Sequence, residues 1–164
     1  MRDDVNKAVR VAFVLVALVA AASPWHAAGA QDAQSAVALR AFFAAVAAKD
    51  YATAWSAFSA KTQTLVAQNI ANSANLTAAE VRKLLDANDD RIQRGFWDSF
   101  RTSSKPERFA QVAMNPGVAP GGDGAVQLTA DGQQMTVLMY KEAGGWKVGW
   151  METFFPTGTL PAKK

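Results

Sequence analysis

From Ala33 to Ser59 the chain reads AQSAVALRAFFAAVAAKDYATAWSAFS, with charge only at Arg40, Lys49 and Asp50. A run this apolar constrains everything after it, because the rest of the chain must take it out of water. Leu39, Phe42, Phe43 and Val46 recur at helical spacing, and Val37 and several alanines widen the stripe. Asp32 or Ser35 is the expected N-cap. Lys49-Asp50-Tyr51 reads as a sharp joint, with Asp50 capping a second helix. There Tyr51, Trp55 and Phe58 fall at i, i+4 and i+7, on one helical face.

What precedes this stretch reads as a secretory signal peptide, residues 1–30. Arg2, Lys7 and Arg10 form a basic start, Val11–Ala22 an apolar centre, Ser23-Pro24 a break, and Ala28-Gly29-Ala30 a cleavage site of small residues. The apolar centre is shorter than the roughly 20 residues a membrane span needs. No Cys follows it, which excludes a lipid-anchored lipoprotein. The expected product is periplasmic or secreted, with no stable membrane anchor. It consists of one domain over 31–156 and a flexible tail over 157–164. At that size about two-thirds of the unfolded surface can be buried, enough for one core.

The most useful absences are chemical. The chain has no Cys, and its one His, His26, lies in the leader. Without either, the mature chain has no His-based triad, no Cys nucleophile and no usual zinc, copper or haem site. No cofactor and no metal are implied. The formal charge of +3 gives no forecast of nucleic-acid binding. Gly121-Gly122-Asp123-Gly124 lacks phosphate-loop spacing and reads as a turn. Asp86, Asp89 and Asp90 do not fit a calcium loop.

Further along, Leu65, Val66 and Ile70 predict a short amphipathic helix, with Asn69, Asn72, Ser73 and Asn75 favouring loop at its end. Thr77-Ala78-Ala79-Glu80 is a capping box opening the next helix. Its stripe runs Val81, Leu84, Leu85, then Ile92, Phe96 and Phe100, with a break favoured at Asn88–Asp90. After Lys105-Pro106 the period changes to two. Strands are expected over 108–114, 125–130, 133–142 and 146–155. Asn115–Gly124 is read as a loop and Asp131-Gly132 as a hairpin turn. Helices first and an antiparallel meander after them predict an α+β fold, with the helices on one face of the sheet.

The apolar first helix, the Lys49-Asp50-Tyr51 joint, Ala54-Trp55, Phe58 and the closing Gly145-Trp146-Lys147-Val148 resemble the nuclear transport factor 2-like superfamily, also called ketosteroid-isomerase-like or SnoaL-like. The resemblance covers about Ala33–Phe155 and is nearest to small secreted bacterial members of unknown function. It implies a cone-shaped α+β barrel whose curved meander wraps the helices, often around a pocket, and often a dimer through the outer sheet face. Catalytic members use an Asp/His pair, or an Asp base with Tyr/Asp oxyanion donors. The mature chain has no His, and no position here matches those motifs.

On a strand over 146–155, Trp146, Val148, Trp150, Glu152 and Phe154 would share one face, which makes Glu152 a carboxylate in apolar company. Tyr51, Trp55, Phe96, Trp97, Trp150 and Glu152 are the candidate ligand-binding residues, and Glu152 is the one candidate base. An aromatic cluster at such spacing is also what a plain core looks like. Trp97 is one step off the Ile92/Phe96/Phe100 stripe and is expected to be partly exposed or to face a pocket or partner. Arg91, Arg94, Arg101, Lys105 and Arg108 read as a solvated basic face. Leu138, Tyr140, Met151 and Phe155 would form an apolar outer sheet face, suited to a homodimer.

The expected function is a non-catalytic module that binds a small apolar ligand or a partner protein. A second reading is a carboxylate-dependent isomerase, dehydratase or hydrolase, with Glu152 as base and Tyr51 or Tyr140 as donor. A third is a structural subunit of an envelope assembly with a filled cone.

Overall fold

The computed structural model describes residues 30–109 and 111–157. The signal peptide expected over 1–30, apart from Ala30, and the tail expected over 157–164, apart from Thr157, lie outside the described residues. Five helices come first: α1 (Ala30–Ala48), α2 (Tyr51–Ser56), α3 (Ala60–Ala74), α4 (Ala78–Asp86) and α5 (Asp90–Ser104). A 3-10 turn, Pro106–Phe109, leads to β1 (Met114–Gly117), β2 (Gly124–Ala130), β3 (Gln133–Glu142) and β4 (Gly145–Val148). A short helix, α6 (Trp150–Phe154), follows. The strands form one antiparallel sheet in the order β1-β2-β3-β4, with β1 and β4 as its open edges. The fold is α+β, helices followed by an open four-stranded antiparallel sheet.

Local chemistry explains most element ends. Asp50 caps α2 by accepting from Thr53 N–H at 3.1 Å. Thr77 and Glu80 close a reciprocal capping box at α4. Asn88 takes φ 55° between α4 and α5, at the expected break. Asp89 caps α5 by accepting from Arg91 N–H at 3.0 Å. Asp131 and Gly132 both take positive φ, 51° and 75°, which is the type I′ geometry a two-residue hairpin needs.

Several expectations are corrected. Ser35 is a buried residue inside α1, which begins upstream of it, and so is not an N-cap. α3 continues through Asn69, Asn72 and Ser73 to Ala74. Asn69 and Ser73 bond back to the carbonyls of Leu65 and Asn69, four residues earlier, so they do not compete with the helix. The strand expected over 108–114 is instead mostly turn. Phe109 stacks on Phe43 at 4.2 Å, which holds the 3-10 turn against α1, and pairing starts only at Met114. β1 therefore occupies the start of the expected Asn115–Gly124 loop.

The largest correction is at the end. The strand expected over 146–155 stops at Val148, and Trp150–Phe154 is helical. Gly149 makes the change: a Cβ there would sit 2.3 Å from Tyr140 Cε2 and 3.1 Å from the Leu138 carbonyl oxygen. Thr153 then caps the junction, its hydroxyl accepting from Leu138 N–H at 2.9 Å. Trp150, Glu152 and Phe154 thus do not continue the Trp146/Val148 face. Met151 and Phe155 are buried rather than on an outer sheet face, where Leu138 and Tyr140 stay half-buried. Among the described residues the large apolar side chains left exposed are Val37 and Val118.

The core lies between α1 and the inner sheet face. Leu39, Phe42 and Val46 of α1 pack with Val126, Leu128, Val137 and Met139, all nearly or fully buried. Each such side chain contributes about 1.5–3 kcal/mol by leaving water. In the basic run, Arg91 pairs with Asp89 and Arg94 with Asp90 on the surface, whereas Arg101, paired with Glu107, and Arg108, paired with Asp131, are half-buried. No helix among the described residues is long and apolar enough to cross a membrane.

Gly149→Ala should destabilise the protein by about 1–3 kcal/mol, the usual range for an overpacked contact. Urea unfolding would read it, and an unchanged midpoint would mean the tyrosine ring moves freely. Hydrogen bonds from Arg91 hold Asp89 at a pKa of about 2, below its ordinary 3.8. Its stabilisation of α5 is therefore complete above 3.8 and lost as pH falls through about 2. Carboxyl NMR titration of Asp89 checks this, and a midpoint near the ordinary value would refute the cap.

Candidate functional site

Glu152 lies in the first turn of α6 and is 7 % exposed. Ser59 Oγ donates to its Oε1 at 2.6 Å and Thr62 Oγ1 to its Oε2 at 2.5 Å. Each hydroxyl also accepts a backbone N–H: Ser59 Oγ from Thr62 at 2.9 Å, and Thr62 Oγ1 from Met151 at 3.0 Å. A hydroxyl has one proton, and here the carboxylate receives it. Ser59 is the N-cap of the fifteen-residue α3, so the carboxylate sits at the positive end of a helix. Glu142 reaches the same end and accepts from Ala60 N–H at 3.0 Å. Glu142 thus accepts from the helix terminus directly, and Glu152 meets it through the Ser59 and Thr62 hydroxyls.

That arrangement is a clamp more than a base. Glu152 would have to release a hydroxyl to take a proton from a substrate. Its expected donors are also engaged. Tyr140 Oη donates to the Gly121 carbonyl at 2.5 Å. Burial, then the charges of Glu152 and Asp123, raise the Tyr140 pKa above its ordinary value. Tyr51 Oη donates to Asp98 at 3.4 Å. Burial raises the Tyr51 pKa too, with Asp98 adding and Arg101 opposing.

The aromatic candidates are brought together, with Glu152 in its own hydroxyl setting. Tyr51 stacks on Trp97 at 5.5 Å with 7° between planes, and Phe58 covers the other face of Trp97 at 5.6 Å and 13°. Phe96 meets Trp97 edge-on at 4.8 Å. Phe100 lies 5.4 Å from Trp97 and 4.8 Å from Trp150, between the two indoles. Trp97 is fully buried, against the expectation of partial exposure, because Tyr51 and Phe58 close over that side of α5. The signal was in the spacing of Gln93, Trp97, Phe100 and Ser104. Two of these are polar, so the face does not register as an apolar stripe.

Trp55 is tied into a closed ring of hydrogen bonds. Its Nε1–H donates to Asp86 at 2.7 Å, and Arg82 Nε donates to both Asp86 oxygens at 2.9 and 3.0 Å. Arg82 also donates to Gln63 Oε1, and Gln63 Nε2 to the Trp55 carbonyl, each at 2.7 Å. The guanidinium lies 5.6 Å over the Trp55 ring, a cation–π contact. This ring joins α2, α3 and α4.

By contrast, the indole N–H groups of Trp97 and Trp150 are buried and have no hydrogen-bond partner among the described residues. The same holds for Gln93 Oε1, Ser104 Oγ, Arg101 Nε and Arg108 Nε. A buried polar group left so costs about 1–3 kcal/mol. Among the described residues, no cluster of acidic, His or Cys side chains could hold a metal ion.

Compared with protein-family models, curated proteins and solved structures, the chain matches none of them.

Trp55→Ala should cost about 3–5 kcal/mol, as for other large buried aromatics. A loss under about 1 kcal/mol in denaturant melts would contradict the anchoring described. Glu152→Gln keeps the shape but turns an amide nitrogen toward a hydroxyl proton. It should cost about 1–3 kcal/mol, and calorimetry showing no loss would mean the clamp holds nothing.

Proposed function

We propose that the chain is a periplasmic or secreted, non-catalytic module that binds a small, largely apolar molecule in its aromatic interior. The observation that carries this reading is the pair of buried, unpartnered indole N–H groups on Trp97 and Trp150, set on either side of Phe100. Apolar walls with a few convergent polar groups are what small-molecule sites are made of. The leader pattern supports export. The resemblance to the nuclear transport factor 2-like superfamily supports a cone that wraps the helices. The catalytic reading has less behind it, since both Glu152 oxygens accept from hydroxyls. A dimer through the outer sheet face would rest on Leu138 and Tyr140 without Met151 and Phe155.

A native mass spectrum of the exported protein tests the reading. Binding predicts an adduct that survives gentle ionisation and disappears on denaturation. A bare polypeptide mass, together with no thermal shift from a panel of apolar amphiphiles, would defeat it.

A further inference from the structure

The unpartnered polar atoms are not scattered. Gln93, Trp97, Arg101 and Ser104 are spaced by four, four and three residues, so they lie on one face of α5. Arg108 follows four residues later in the 3-10 turn. Trp150 meets this face through Phe100. Gln93, Trp97 and Ser104 are each at least 96 % buried.

Their chemistry is lopsided. Trp97, Trp150, Arg101 and Arg108 each present an N–H that can only donate. Ser104 can donate or accept, and only Gln93 Oε1 is a pure acceptor. The two guanidinium charges are already answered, Arg101 by Glu107 and Arg108 by Asp131. What remains is a surplus of donors with little uncompensated charge. At the usual cost of a buried unpaired group, this surplus would consume much of a domain's net stability.

We infer that this face of α5 takes an amphiphile whose head carries acceptor oxygens, a carbonyl or a carboxylate, and whose body is apolar. This rests on the binding reading above and adds the class of ligand. The donors would hold the head oxygens, and Phe100 and the Trp150 ring would hold the body. A head that only donates, such as an amine, finds one pure acceptor there and is disfavoured.

Indole N–H signals of the labelled exported protein test this directly. Trp55 provides an internal control, because its N–H is committed to Asp86 at 2.7 Å. Decanoate and methyl decanoate supply the two acceptor heads, and decylamine the donor head. The expected result is a saturable downfield shift of the Trp97 and Trp150 signals with an acceptor probe, a still Trp55 signal, and no such shift with decylamine. Whether decanoate or its ester binds more tightly decides between the two heads. Trp150→Phe, which keeps an aromatic ring and removes the N–H, should weaken the preferred probe about threefold to tenfold, the worth of one hydrogen bond. Should that variant fail to fold, Ser104→Ala serves in its place. Equal binding of decylamine with the same shifts, or undiminished binding by a folded variant, would overturn the ligand class while leaving binding itself intact. No shift with any probe would overturn both.

Discussion

The N-terminus of α3 is where the helical half and the sheet are fastened together. Ser59 N–H donates to the Val148 carbonyl at 3.0 Å, and Val148 N–H to the Ala57 carbonyl at 2.8 Å. Around these backbone bonds, the Ser59 and Thr62 hydroxyls hold Glu152, and Ala60 N–H holds Glu142. A helix start exposes N–H groups that need acceptors. Here two of the acceptors, Glu142 of β3 and the Val148 carbonyl of β4, lie more than eighty residues away in sequence. One local requirement of α3 therefore fixes how the end of the chain must return. Gly149 permits that return, because only a residue without Cβ fits against Tyr140.

The second dependency is the apolar character of α1. Its inner face meets the sheet, and Phe42 and Phe43 extend the contact to Phe58, Phe100, Phe109 and Trp150. These rings sit 4.2–6.3 Å apart, mostly tilted or edge-on, with stacking at Phe43–Phe109. That is the spacing at which aromatic pairs attract. Among the described residues, the polar row on α5, together with Arg108 and Trp150, does not satisfy itself. Stability alone would favour apolar residues at Gln93 and Ser104. Their presence beside two donor-bearing indoles sets this face of α5 apart from the purely apolar parts of the core.

How much was legible differs by element. The helices were read from spacing and caps, because those signals are local: Asp50, the Thr77/Glu80 box and Asn88 act within a few residues of themselves. β2 and β3 were legible from period two and the Asp131-Gly132 turn. β1 and the chain end were not. Phe109 is drawn to α1 by Phe43, and β1 includes Pro116, so neither the start nor the content of that strand looks like a strand. Trp146–Phe155 alternates well enough to be one, yet it bends at Gly149.

By itself, then, the sequence determined that helices precede an antiparallel sheet, that one apolar helix organises the core, and that the chain has no Cys and a single His, His26. These follow from periodicity, capping and composition, which need no partner. Only the tertiary structure decided that Glu152 is clamped by Ser59 and Thr62, that Trp97 is enclosed between Tyr51 and Phe58, and that the donors of α5 line one face beside Trp150. Each of those depends on groups distant in sequence arriving at one place, and burial there, not spacing along the chain, sets what a side chain can do.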